Sequence, residues 1–491
     1  MKIILTVATA LLIFGGCAGL FPPSIPRDPL ERLRYEIDQL LTDSLFLPAR
    51  IGMKVASLET DEVLYERNSN MLMHPASNMK LLTSSAGIGI LGKDFRFNTS
   101  VFIDTPMVSD TVTGNVYFKG FGNPDLKTSD LDTLVAQIKS AGINTILGDV
   151  VSDVSYFDDL FWGEGWMWDD EPYEFEAFIT PLSINDNCVR ITVTPGFYTG
   201  DTVSVTITPN TTYVSLMNEA TTVTDTALIP LQVTRLFKER LNTIVIDGQV
   251  LAYSKPREFV LSVWKPEIYA SHLLKEHLEQ NEIIVNGMPN IGTAPLEAKE
   301  IALHTWGFDS VVVNLNKISD NLSAENTLKI LGAFQRGTPG NAENGIYETN
   351  LFLSQFGIDT TKYLMVDGSG VSHYNLLTAE MLVQLLSGMA RRPDLFPVLY
   401  ESLPIAGVDG TLSSRMKGTS AENNLRAKTG SISGVSSLSG YVKTSDGEML
   451  VLSILMQNFI GGNRPYRMIQ DAIGVLLAEF SRTNTPRVAS H

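Results

Sequence analysis

Ser77-Asn78-Met79-Lys80, continued by Leu81-Leu82-Thr83-Ser84-Ser85-Ala86-Gly87-Ile88, is the stretch on which the fold turns. The run from 77 to about 91 reads as a helix, with Ser77 and Lys80 three residues apart at its start. Residues i and i+3 share a helix face, so the ammonium can reach the hydroxyl. A serine hydroxyl is a weak nucleophile until a base takes its proton. A lysine whose pKa is lowered by burial or by nearby positive charge can do that. Helix-start amides also favour negative charge that develops there. The tetrad alone decides nothing, because Ser262-Val263-Trp264-Lys265 and Ser414-Arg415-Met416-Lys417 repeat it elsewhere.

Its company carries the weight. Ser319-Asp320-Asn321 stands before a predicted helix over 322–335. Alone it reads as an N-cap cluster, and Ser183-Ile184-Asn185 shows that Ser-x-Asn also arises by chance. Lys428-Thr429-Gly430 occurs once, is followed by Ser431, and leads into a predicted hairpin over 436–443 and 448–456 around the turn Asp446-Gly447. The order and the contexts (helix start, loop before a helix, edge strand) are those of the three motifs of penicillin-recognising serine enzymes. The first gap is much the longer of the two and leaves room for a large insertion.

On these motifs and on longer stretches, the chain resembles the low-molecular-mass class C penicillin-binding proteins, which are D-alanyl-D-alanine carboxypeptidases and endopeptidases. Phe118-Lys119-Gly120-Phe121-Gly122-Asn123-Pro124-Asp125-Leu126 is similar to that family's Gly-rich Asp-Pro segment. Further matches are Ile146-Leu147-Gly148-Asp149-Val150-Val151-Ser152-Asp153, the extension of the second motif to Glu325, Asp367-Gly368-Ser369-Gly370-Val371-Ser372, and Leu376-Leu377-Thr378. The next position departs from the pattern: many relatives have Arg where this chain has His373, which leaves the preferred cross-linking residue of the substrate open.

The resemblance implies an α/β (α+β) fold, a transpeptidase-like domain with an antiparallel sheet flanked by helices and inserted β-rich accessory domains. It implies a catalytic domain over 29–97 and 302–482, with 98–301 inserted as two subdomains. It also implies roles. Ser77 attacks the penultimate D-Ala carbonyl, Lys80 is the acylation base, and Ser319 relays a proton to the leaving group. Asn321 positions the substrate amide. Lys428, Thr429 and Gly430 line the place of the terminal carboxylate. The backbone N–H groups of Ser77 and Ser431 form the oxyanion hole. Peptidoglycan stem peptides are the implied substrates, and β-lactams the covalent inhibitors. Two alternatives stay open: a β-lactamase or esterase on the same scaffold, and a catalytically idle peptidoglycan-binding lipoprotein. Fast deacylation needs a further base, and no candidate stands near the motifs in sequence.

The rest of the chain sets the context. Lys2, the apolar run over 3–14, Gly15, Gly16 and Cys17 read as a signal peptide (1–17) ending in a lipobox-like site, with Phe14 where Leu is usual. Lipidated Cys17 would anchor the protein to a membrane, through a Pro-rich tether over 18–28. The expected location is the periplasm. The chain has 2 cysteines, so Cys188 has no partner once Cys17 is processed and reads as a small buried hydrophobe. The 491 residues predict several domains. A hydrophobic content of 44% with 19% charged residues is globular. A net charge of −17 excludes nucleic acid as a partner.

Helices are predicted over 30–42, 378–390 and 464–480, βα-like stretches over 129–142 and 268–280, and a disordered tail over 483–491. The 6 histidines form no His-Glu-x-x-His pattern, and no metal or other cofactor is expected. Gly87-Ile88-Gly89-Ile90-Leu91-Gly92 fits a dinucleotide pattern but lies inside a helix, where small residues serve packing. Trp162, Trp166 and Trp168 read as one aromatic cluster, either packed or overhanging the substrate groove.

Overall fold

The computed structural model describes residues 26–225 and 228–483. The predicted signal peptide, Cys17 and all but the last residues of the tether lie outside them, as does the tail beyond Thr483.

A five-stranded antiparallel sheet organises the molecule, in the order Val63–Arg67, Arg50–Ser57, Met449–Gln457, Val435–Lys443, Arg426–Ile432. The two terminal strands are buried on both faces, which explains their almost continuous apolar sequence. Alternate residues serve opposite cores. Val451 and Leu455 point to the side where Leu82, Leu382 and Leu386 pack, from the helices Lys80–Ile90 and Ala379–Ala390. Leu450, Leu452 and Ile454 point to the other side, against Leu33, Ile37, Ile473 and Leu477 of the helices Pro29–Leu40 and Arg464–Glu479. An antiparallel sheet between two helical layers is the fold the resemblance implies.

Between the two ends of the chain, a second five-stranded sheet runs Pro289–Ile291, Val150–Asp153, Val116–Gly120, Arg96–Ile103, Lys299–Gly307. Its outward and return strands, Arg96–Ile103 and Lys299–Gly307, pair antiparallel. Smaller sheets centre on Cys188–Thr194 and on Thr243–Asp247. They share one hydrophobic core with the helices Leu131–Ser140 and Pro266–Gln280. Cys188, the first residue of the strand Cys188–Thr194, is buried.

The predicted helices form close to their expected bounds, and their caps show why. Asp320 accepts from Ser323 N at 2.6 Å and opens Asn321–Arg336, while Thr378 accepts from Met381 N at 3.0 Å and opens Ala379–Ala390. One start differs from the reading. The α-helix begins at Lys80, and Ser77 sits before it on a 3₁₀ turn, Ala76–Met79. Gly87 and Gly89 of this helix lie against Phe308 and Phe352, so the glycine pattern there serves close packing.

Candidate active site

The turn that carries Ser77 is held from three sides. Asn78 Nδ2 donates to the Lys428 carbonyl at 3.0 Å, and Ser437 Oγ donates to the Pro75 carbonyl at 2.7 Å. The loop carrying Gly370 presses on the third side. Gly370 has φ +85°, and a Cβ there would overlap the Ala76 carbonyl. Gly430 allows the third motif the same closeness, since a Cβ on it would lie 2.9 Å from Ser77 N. Ala76 sits at φ +45°, a strained conformation for a residue with a Cβ, sustained by the packing around it. In a 3₁₀ turn residues i and i+3 eclipse, so Lys80 still stands over Ser77.

Lys80 Nζ lies 3.3 Å from Ser77 Oγ, 2.5 Å from Asn321 Oδ1 and 2.8 Å from the Ser369 carbonyl. These three acceptors use every donor of an ammonium. The residue is fully buried. Burial pulls its pKa from 10.5 to about 8, against the opposing pull of Asp320, Asp367 and Glu325.

Ser319 adopts φ +67°, just ahead of the helix that starts at Asn321. Its hydroxyl accepts from Lys428 Nζ at 2.8 Å, and the same ammonium donates to the Thr429 carbonyl at 3.0 Å. Burial, and then the charge of Lys80, push Lys428 well below the usual lysine range. Ser77, Lys80, Ser319, Asn321 and Lys428 thus form one polar array. Thr429, Gly430 and Ser431 continue it along the edge strand Arg426–Ile432. Thr429 Oγ1 donates to Thr411 Oγ1 at 2.7 Å, and Ser431 Oγ accepts from Asn463 Nδ2 and from Arg467 Nη2, the latter at 3.3 Å. Cys17 lies outside the described residues.

Several further groups surround the array. Asn321 Nδ2 donates to the backbone carbonyl of Phe175 at 2.6 Å, which fixes the orientation of the amide, with its oxygen towards Lys80. Glu176, the next residue, is buried, and burial lifts its carboxyl from 4.5 to about 8. Asp367 and Glu325 are buried carboxylates that bind backbone N–H groups of the loop over 368–372. Both fall within stretches matched to the family, but the amides they bind are not visible in sequence.

The three tryptophans do not form one cluster. Trp162 stacks on Phe178 with ring centroids 5.6 Å apart, and Trp166 Nε1 donates to Asp367 Oδ2 at 3.0 Å. Trp168 is 61% exposed beside Phe237. The Gly-rich Asp-Pro segment packs under the second motif: Asn326 Nδ2 donates to the Gly122 carbonyl at 3.2 Å, and Asp125 accepts from Ser323 Oγ at 3.4 Å and from Trp306 Nε1 at 3.1 Å. His373 stacks edge-on to His74, centroids 5.6 Å apart, and its pKa is lowered by burial and then by His74. Among the described residues no group of three His, Cys, Asp or Glu side chains could hold a metal ion.

The array can transfer a serine proton to a lysine and present an activated oxygen beside an open sheet edge. Comparison with known proteins agrees with that chemistry. A curated D-alanyl-D-alanine carboxypeptidase from Actinomadura sp. (strain R39) is 35% identical over 475 residues, 94% of this chain and 87% of the relative. The D-alanyl-D-alanine carboxypeptidase DacB of Haemophilus influenzae is 26% identical over 86% of this chain and 88% of its own. A crystal structure of penicillin-binding protein 4 (dacB) from Haemophilus influenzae superposes with a TM-score of 0.81 at 24% identity, covering 90% of this chain and 99% of that one. The model of the D-Ala-D-Ala carboxypeptidase 3 (S13) family matches residues 33–480, and the chain belongs to that family.

Proposed function

We propose that this D-Ala-D-Ala carboxypeptidase hydrolyses the terminal D-Ala–D-Ala bond of peptidoglycan stem peptides through an acyl-enzyme on Ser77. The observation that carries the reading is the fully buried Lys80 ammonium, 3.3 Å from Ser77 Oγ with a pKa of about 8. At pH 7 roughly a tenth of such a lysine is neutral, a pKa close enough to working pH for general-base catalysis. Neutral Lys80 takes the Ser77 proton as Oγ attacks the penultimate D-Ala carbonyl. The oxyanion is stabilised by the N–H groups of Ser77 and Ser431. Asn321 holds the substrate amide, and Lys428 and Thr429 hold the terminal carboxylate. Ser319 passes a proton to the departing D-Ala nitrogen as the C–N bond breaks. Water then adds to the ester carbonyl, Ser77 regains its proton, and the shortened peptide leaves.

β-Lactams acylate the same serine in this reading. It is supported by the structure of Haemophilus influenzae penicillin-binding protein 4 complexed with a β-lactam, which has the same fold. In this reading release of the acyl group is slow, because fast deacylation needs a further base and none stands near the three motifs in sequence. The same reading gives residues 29–97 and 302–482 to the catalytic body and 98–301 to the insertion. It also has the protein exported to the periplasm and held by a lipid on Cys17. No helix among the described residues is long and apolar enough to cross a membrane. Cys17→Ser should free the protein from membranes.

Intact mass after incubation with benzylpenicillin tests the mechanism. A persistent adduct on the wild type that Ser77→Ala lacks, with its fold retained, is expected. An adduct on Ser77→Ala would move the nucleophile elsewhere.

A further inference from the structure

Behind Lys80 lies a loop whose backbone is bound on its far side by two buried carboxylates. The peptide unit joining Ser369 to Gly370 is held from both ends: its carbonyl accepts from Lys80 Nζ at 2.8 Å, and its N–H donates to Asp367 Oδ1 at 2.8 Å. The two preceding amides are taken by Glu325, with Oε1 accepting from Ser369 N at 2.8 Å and from Gly368 N at 3.0 Å. Glu325 is 2% exposed, on the helix whose first residue is Asn321. One helix therefore presents Asn321 to Lys80 directly and Glu325 to the loop that carries Lys80's other fixed acceptor.

We propose that Glu325 is a positioning residue for the reaction: its carboxylate fixes the Ser369 carbonyl against Lys80 and places negative charge behind that lysine. This rests on Lys80 being the acylation base. A buried carboxylate retained beside a buried lysine needs a reason, since taking each ion out of water is costly. Binding two backbone amides offsets part of that, and stabilising the proton on Lys80 offsets more. The charged groups facing Lys80 are Asp320, Asp367 and Glu325, which hold its proton, and Lys428, which opposes it. Burial, and then Asp367, lift the Glu325 carboxyl to about 7, so it is ionised where Lys80 titrates, at about 8. Asp367 is less open to test, because its two oxygens also hold Ser372 N, Asn375 Nδ2 and Trp166 Nε1.

Glu325→Gln removes the charge while its amide oxygen keeps the bonds made by Oε1; only the longer contact of Oε2 with Gly368 N, at 3.1 Å, is given up. The experiment is the pH profile of benzylpenicillin acylation for wild type, Glu325→Gln, Glu325→Asp and Lys80→Ala, each checked by thermal melting. Loss of the charge makes the Lys80 proton easier to remove. The ascending limb should move to lower pH in Glu325→Gln by roughly half a unit or more and stay near the wild-type position in the slower Glu325→Asp. A limb that stays in place in Glu325→Gln, with rates reduced equally at every pH, would overturn the proposal. So would identical profiles for Gln and Asp. Should Glu325→Gln not fold, Glu325→Asp decides: an unmoved limb supports the role of the charge, and a limb moved to lower pH overturns it. Acylation of Lys80→Ala with the wild-type profile would instead sink the base assignment itself, whatever Glu325 does.

Discussion

Lys428 Nζ donates to Ser319 Oγ across 2.8 Å, so the lysine of the third motif holds the hydroxyl of the second, 109 residues earlier in the chain. A charged ammonium has no acceptor, and the Ser319 proton must then point away from it, available for transfer. Yet Lys428 is fully buried, and both its burial and the charge of Lys80 favour its neutral form. A substrate carboxylate arriving at this lysine reverses that balance, because an opposite charge favours the ionised state.

Binding of a peptide ending in D-Ala-D-Ala carboxylate to Ser77→Ala should therefore take up protons at neutral and alkaline pH. An otherwise identical peptide with a C-terminal amide should take up none. Titration calorimetry in two buffers of different ionisation enthalpy measures this. Equal proton counts for the two peptides would show that Lys428 does not receive the carboxylate.

Lys80→Met should abolish acylation and also change how stability follows pH. The folded-state pKa of Lys80 is about 8, against an ordinary 10.5, so between these values the unfolded chain binds more protons than the folded one. Stability from this residue therefore rises with pH across that interval, by up to about 3 kcal/mol at 1.36 kcal/mol per unit. Denaturant melts at pH 8 and pH 10.5 should show that gain in wild type and a smaller one in Lys80→Met. Parallel curves would place the Lys80 pKa near its ordinary value.

Gly370→Ala should slow acylation without touching a motif residue. The position has φ +85°, and its new Cβ would overlap the backbone carbonyl of Ala76, which cannot swing aside as a side chain can. Backbone strain and overpacking together cost about 2–4 kcal/mol, and the shift falls on the turn that aims Ser77. Acylation about tenfold slower or more, with a lowered melting temperature, is expected. Lowered stability with an unchanged acylation rate would show that the loop does not set the nucleophile.

Glu176→Gln should stabilise the protein selectively at alkaline pH. The folded protein holds the Glu176 proton up to about pH 8, whereas an ordinary glutamate releases it near 4.5. Wild-type stability from this group is complete below 4.5 and is lost as pH rises through 8. The glutamine variant lacks that loss, so the melting temperatures should meet near pH 5 and diverge by pH 9. Curves that stay parallel would mean the carboxyl is not held neutral.

The motifs were legible because each pairs a chemical group with a local geometry. Ser77 and Lys80 meet across three residues, Asp320 caps the helix that carries Asn321, and Lys428 lies on a strand marked by its hairpin. Long helices were legible for the same reason: their periodicity repeats. The groups that tune the site were not. Phe175 contributes a backbone carbonyl, which no residue type announces. Glu325 and Asp367 lie in stretches matched to the family, but no residue type announces the backbone amides they bind, 44 residues on for Glu325 and three for Asp367. The α-helix starts at Lys80 rather than Ser77, after Ala76 at φ +45°, a backbone conformation that the residue type does not signal. In the middle region, strands of two to five residues are too short for alternation to fix their partners.

The central sheet places the first strands of the chain beside the last. Asn78 reaches Lys428 across 350 residues, and His74 N reaches Gln457 across 383. Local helices and the middle sheets can form as soon as their own residues are available, but this closure waits for the C-terminal hairpin. A chain that is still emerging therefore has its serine without the strand that completes the pocket. Catalytic competence arrives last, so an unfinished copy carries Ser77 and Lys80 without the Lys428 strand that completes their surroundings.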